Sequence, residues 1–288
     1  MAPRRTFSSG GACRLIPMPT ILVTNDDGVR SDGIHVLAAA LASLGEVTIV
    51  APMTEASAVG HALTLRRPLR MEELSPRVYS VDGTPTDCVN IAITTVLKGL
   101  PDLVVSGINK GYNIGDDVTY SGTVAGALEA ALLGIPAVAV SLEGAVVYEF
   151  GNAAEAALTV ARGLLRHPLP ERAFLNVNVP RGPIRGFRTA VQARRNHVTS
   201  VSARVDPRGR EYYWIDEAED DWQPHDHSDH QAVIDGYVAI TPLHPDLTAH
   251  AQLRHVAGMG FPVSVGQPVT GDQADVLRSG DGPIKERS

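Results

Sequence analysis

Cysteine is scarce: Cys13 and Cys88 are the only two in 288 residues. One lies in a polar leader and the other in an apolar helical pattern, which makes neither a disulfide framework nor a thiolate metal site. Such sparing use fits a reducing cytoplasm. Long apolar runs are also missing, and none reaches the roughly 20 residues that a membrane-spanning helix needs. There is no excess of positive charge, since 25 Lys and Arg face 32 Asp and Glu for a net −7. That sign speaks against a face for a nucleic-acid duplex and against a polybasic membrane patch. A single small phosphate can still be held where a metal or a helix end supplies the positive field. The glycine-rich Gly-x-Gly-x-x-Gly turn is absent too. The first apolar run is followed by NDDGVRSDG (25–33), which removes a nicotinamide-dependent oxidoreductase from consideration.

What is present reads as an ordinary globular chain, 44% hydrophobic and 20% charged. It is long enough for one large α/β domain, or for a core with an excursion. Residues 1–18 are basic and Ser/Gly-rich without the apolar stretch of a secretory signal. They are expected to be a disordered extension, with Met18 as an alternative start. From Thr20 the pattern alternates. TILVT (20–24), Val47 to Ala51, Arg77 to Val81, Asp102 to Ser106, Pro136 to Ser141 and Phe174 to Val179 are short, apolar and β-branched, as strands buried on both faces should be. Helical spacing separates them: Ile34, Leu37, Leu41 and Leu44 follow an Asp32 cap, and Ser121 opens a small-residue helix closed by Gly134. A helix to about Lys98 begins at Thr84, Pro85 and Asp87. Another begins at Asn152 with Glu155 as a capping box. The alternation predicts a Rossmann-like, doubly wound, mostly parallel sheet.

After Pro180 the texture changes. Phe187 to Ala193, Val198 to Val205 and Arg210 to Ile215 are more polar and alternating, and Asp206-Pro207-Arg208-Gly209 signals a hairpin turn. A two-stranded ribbon is marginal alone, so this arm, an excursion over about 187–232, is expected to pack on another subunit. The domain is expected to span 19–260, with a disordered tail over 261–288.

Ligands of open α/β sheets bind beyond the carboxyl ends of the strands, and three such ends carry unusual residues here. The first strand runs into Asn25-Asp26-Asp27-Gly28, where adjacent carboxylates call for a cation. The second feeds a loop holding Ser57, Gly60 and His61. The strand ending at Ser106 enters GINKGYNIGDD (107–117), rich in glycine, asparagine and aspartate, then Ser121-Gly122-Thr123 at a helix start. The first amides of that helix are a ready phosphate seat, and Gly122 has no side chain to block an approaching anion. A Gly122→Val change is therefore expected to harm the phosphate seat and spare the metal ligands. Hard oxygen donors for a Mg²⁺- or Mn²⁺-like ion beside an anion seat amount to phosphoryl-transfer equipment. Asp26 would orient or deprotonate a water, or attack phosphorus itself. A receiver-like signalling domain also carries an acidic pair after its first strand. It would end near half this length and would not need the SGTVAGA helix.

The runs TNDDG (24–28), APMTEASAVGHALT (51–64), VDGTPTDCVNIA (81–92), SGINKGYNIGDDVTYSGTVAGALEA (106–130), NVNVP (176–180) and GYVAITPL (236–243) resemble the SurE family of stationary-phase survival proteins, in the family's order over about residues 19–250. The resemblance implies a metal-dependent phosphatase acting on nucleoside 5′- and 3′-monophosphates, and also on short polyphosphate. It implies one divalent cation per subunit, held by Asp26, Asp27, Ser57 and Asn109. It further implies phosphate contacts around Asn113 and from Ser121 to Thr123, with Asn25 and His61 beside them. It also implies a homodimer or homotetramer joined through C-terminal segments. Two stretches depart from the family pattern: Met53-Thr54-Glu55 in the second loop and Ser228-Asp229 further on. His225, His227 and His230, beside Asp226 and Asp229, resemble a metal tract but are expected to form a solvated loop.

Overall fold

A computed structural model describes residues 18–170, 172–195, 200–216 and 222–260. The expected extension and tail lie outside these residues, apart from Met18. Eleven strands and six α-helices follow in the order β1 (Thr20–Thr24), α1 (Asp32–Leu41), β2 (Glu46–Pro52), β3 (Met71–Ser75), β4 (Val78–Val81), α2 (Pro85–Ile91), β5 (Leu103–Lys110), α3 (Gly122–Leu132), β6 (Ala137–Leu142), α4 (Gly151–Arg166), β7 (Phe174–Val179), β8 (Phe187–Thr189), β9 (Ser200–Val205), β10 (Glu211–Asp216), α5 (Asp229–Ile234), β11 (Val238–Leu243) and α6 (Leu253–Ala257). Nine strands form one sheet in the order β3-β4-β2-β1-β5-β6-β7-β11-β8. The strands from β4 to β7 run parallel, and only β3 and β11 join neighbours antiparallel. The buried faces of α1 and α4 pack on one side with Ile34, Leu37, Ala157 and Val160. Those of α2 and α3 pack on the other with Val89, Val124 and Ala130. This is the doubly wound α/β fold that the alternation predicted, because strands covered on both faces must be apolar throughout.

Chain order turns back between β1 and β5. The chain leaves β1 toward β2 and β4 and then returns to lie on the other side of β1. That switch point opens a crevice at the carboxyl ends of these two strands; β1 leads into Asn25-Asp26-Asp27, and β5 ends in Asn109-Lys110. β5 runs four residues beyond the expected Ser106, through an irregularity between Gly107 and Asn109, and the Gly107–Ile108 peptide bond is cis. Asn109 therefore sits in a strand, opposite Ser141 of β6, and not in a free loop.

Other expectations change in detail. Ser31, not Asp32, precedes α1. α4 begins at Gly151 after Phe150 with no side-chain cap, and Asn152 instead donates to the Gly182 carbonyl at 3.1 Å. Burial of Phe150 in the core beside α1 sets that entry. β3 escaped the sequence because MEELS is exposed throughout and has no apolar face; only pairing with β4 makes it a strand. Of the three polar strands assigned to the arm, β8 belongs to the main sheet, parallel to β11. Among the described residues the ribbon is formed by β9 and β10, paired with each other from Ser200 opposite Asp216 to Val205 opposite Glu211.

Thr84, expected as a cap, and Asp87, expected as a first-turn acid, together form a capping box. The Thr84 hydroxyl accepts the Asp87 amide at 3.1 Å, and Asp87 accepts the Thr84 amide at 2.9 Å. The second Asp87 oxygen accepts the Thr64 amide at 2.9 Å, so one buried carboxylate both starts α2 and pins the end of the loop after β2. Asp87→Ala removes the cap and strands the Thr64 amide. We expect a loss of about 1–2 kcal/mol, read as a lower urea midpoint at unchanged slope; an unchanged midpoint would contradict the role.

Candidate functional site

Asp26 is buried against the start of α3. The Thr123 hydroxyl donates to its Oδ1, and the Thr123 amide also favours its charged form. Burial nonetheless pushes the Asp26 carboxyl above its ordinary range. Asp27 is pushed up to about 6, first by burial and then by the charge of Asp26, while Lys110 pulls it down. Its Oδ2 is buried without a partner, as is Oδ1 of Asn25, whose amide nitrogen donates to the Gly28 carbonyl at 3.0 Å and closes the turn.

The loop after β2 reaches the pair through its backbone, the Ala56 amide donating to the Asp26 carbonyl at 2.8 Å. This brings in Ser57, whose hydroxyl donates to Glu55 at 2.7 Å. The Glu55 carboxylate is a further negative charge near both aspartates. From β5, Asn109 donates its amide nitrogen to the Gly111 carbonyl at 3.0 Å, so its carboxamide oxygen is the atom that could meet a cation. Two crowded carboxylates with raised pKa, an orphaned buried oxygen, a hydroxyl and a carboxamide fit a hard divalent cation. Among the described residues no group of three or more His, Cys, Asp or Glu could hold a metal. The cation suited here is one that keeps waters and takes only one or two carboxylates, as Mg²⁺ does.

The other residues singled out in sequence have definite partners. Ser121 caps α3, its hydroxyl accepting the Val124 amide at 3.0 Å. The Gly60 amide donates to the Tyr120 carbonyl at 3.0 Å, tying the second loop to the same helix start. His61 meets Glu129 of α3 at 2.7 Å, and Asn90 of α2 donates to the other Glu129 oxygen at 2.7 Å. These bonds, His61 first, hold the Glu129 carboxyl below its usual range. Asn113 is buried, its amide nitrogen donating to Ser141 at 2.7 Å. Its backbone amide donates to Asn178 at 2.8 Å, and its carbonyl accepts from Asn176 at 2.7 Å and Asn178 at 2.9 Å. Asn176, Asn178, Ser141, Glu129 and Asn90 are supports that the residue-level reading missed. The signal available was polar side chains in an otherwise apolar strand, NVNV, since buried asparagine needs partners. His225 and His227 are exposed, whereas Asp229 is buried.

With this geometry in view, the comparisons are decisive: residues 21–199 match the family model for survival protein SurE. The chain belongs to the SurE family. A relative from Syntrophotalea carbinolica, named 5′-nucleotidase SurE, is 54% identical over 79% of this chain and 92% of its own length. One of the same name from Pelobacter propionicus is 54% identical over 84% of this chain and 99% of its own. The crystal structure of SurE protein from Aquifex aeolicus superposes with a TM-score of 0.76 at 42% identity, over 83% of this chain and 98% of that one.

In this SurE-family chain Gly122 has a reason of its own. A Cβ there would lie 2.8 Å from the Asp26 Cβ and 2.9 Å from its Oδ2. The missing side chain makes room for the carboxylate, so the expectation that Gly122→Val spares the acidic pair is corrected. We expect Gly122→Val to displace Asp26 and to lower stability by roughly 1–3 kcal/mol through overpacking. Denaturant unfolding and a crystal structure of the variant check this; an unmoved Asp26 at wild-type stability would refute it.

Proposed function

We propose that this chain is a phosphomonoesterase that hydrolyses nucleoside 5′-monophosphates, and also 3′-monophosphates and short polyphosphate, with one Mg²⁺ or Mn²⁺ per subunit. The observation that carries the reading is the pair at the switch point, buried Asp26 set against the start of α3 and half-buried Asp27 beside it, both raised in pKa. The name 5′-nucleotidase SurE, borne by relatives 54% identical over most of both chains, supports the substrate class.

Asp26, Asp27, Ser57 and Asn109 would hold the cation, which when bound polarises a phosphoryl oxygen and acidifies a water. Asp26, fixed by Thr123, orients the attacking water and accepts its proton as the ester P–O bond breaks. The start of α3 offers its partial positive charge to the remaining phosphoryl oxygens, and the loop around Asn113 faces them. Asn25 shapes the aspartate turn, and His61, through Glu129, fixes the second loop over the site. Because Gly122 serves Asp26, the phosphate and metal seats share a wall.

The full chain should release phosphate from adenosine 5′-monophosphate with Mn²⁺ and lose that activity in excess chelator. Asp26→Asn should cut turnover by roughly two to four decades while folding normally. Phosphate retained on the protein without free release would favour the receiver-like reading instead.

We also propose a homodimer or homotetramer built through the ribbon, in the cytoplasm. Val201, Val205, Tyr213, Trp214 and Ile215 leave large apolar side chains exposed on β9 and β10, and two strands alone are marginal in water. The cytoplasmic location rests on the sparing cysteine use. Light scattering at micromolar concentration should give at least twice the chain mass; a clean monomer would overturn the assembly.

A further inference from the structure

Asp229 is fully buried at the first position of α5, oriented by the Ser228 cap. Its carboxylate accepts three backbone amides, two of them from distant parts of the chain and one from its neighbour His230. Oδ2 accepts Gly115 at 3.0 Å, and Oδ1 accepts Ala193 and His230, each at 2.8 Å. Gly115 lies between Asn109 and α3, in the loop that carries Asn113. Its carbonyl is also taken, by the Gln192 side chain at 2.9 Å. A Cβ on Gly115 would lie 2.5 Å from the Ala193 carbonyl oxygen and 2.8 Å from the Trp222 ring, and its φ of +56° favours glycine. Arg195 reaches the same loop at Asp117, at 2.8 Å. Asn113, two residues earlier, is held by Asn176, Asn178 and Ser141. The loop is thus clasped at both ends by residues that come later in the chain.

We infer that Asp229 is a positioning residue, which holds the loop between β5 and α3 in the geometry that Asn109 and the phosphate-facing backbone need. The inference rests on the phosphatase reading for its consequence, though not for the clasp itself. A carboxylate suits the task because both oxygens accept. An asparagine of the same shape must turn its NH₂ toward one of the amides, whichever way it lies. Asp229→Asn is therefore diagnostic, and Gln192→Ala removes a single exposed support should the first variant fail to fold.

The test combines hydrogen exchange over residues 109–117, Mn²⁺ binding followed by electron paramagnetic resonance without substrate, and the kinetics of phosphate release. In Asp229→Asn the loop should exchange faster while β1 and β2 keep wild-type protection. Half-saturating Mn²⁺ should rise and turnover fall, each on the order of tenfold. Gln192→Ala should move all three in the same direction by less. Unchanged exchange in both variants would overturn the clasp. Faster exchange with wild-type Mn²⁺ binding would reduce Asp229 to a general stabiliser. If the wild type releases no phosphate, the phosphatase reading fails, and exchange and Mn²⁺ binding still judge Asp229.

Discussion

The buried carboxylate of Asp26 at the start of α3 is the constraint around which the rest of the site is arranged. Moving a charge out of water is costly unless it is paired and hydrogen-bonded. Here the compensation comes from the Thr123 hydroxyl and amide and from the positive end of the helix. For those groups to reach Asp26, α3 must approach β1 closely, and this explains the composition of its first turns. Gly122 leaves room for Asp26 itself, and Gly126 lies where a Cβ would be 2.9 Å from both Thr24 and Ser106. The helix was read in sequence as rich in small residues, and the reason is the distance it must keep from β1 and β5.

Behind the acidic pair, polar side chains are buried where an ordinary core would be apolar. Asn113, Ser141, Asn176 and Asn178 hydrogen-bond one another across β6 and β7, and Asp229 accepts amides from two distant segments besides that of its neighbour His230. A buried hydrogen-bonded network confers one geometry more than it confers stability. The two glycines of the loop between β5 and α3, Gly111 and Gly115, therefore do not make it slack, because Asn113 and Gly115 are held from outside it.

Much of the fold was legible locally. The bounds of β7 and the Thr84 cap with Asp87 in the first turn agree with the structure, since each is set by residues in contact along the chain. β3 was not legible, because a charged edge strand has no periodicity of its own and exists only through β4. The start of α4 was misplaced because burial of Phe150 outweighed the local capping preference of Asn152. β8 was assigned to the arm because its polar texture marks an edge without saying which sheet.

By itself the sequence determined the doubly wound class, because hydrophobic period is a local property. It also singled out three strand ends of unusual composition and, among them, Asp26, Asp27 and Asn109 as candidate oxygen donors, since adjacent acids and a glycine-rich turn declare themselves within a few residues. Only the tertiary structure decided that Gly122 makes space for Asp26, that His61 is spoken for by Glu129, and that Asp229 reaches Gly115. These partners lie 68 to 114 residues apart for the two bonded pairs. No local pattern encodes such contacts, because they arise only when packing brings separate segments within hydrogen-bond reach.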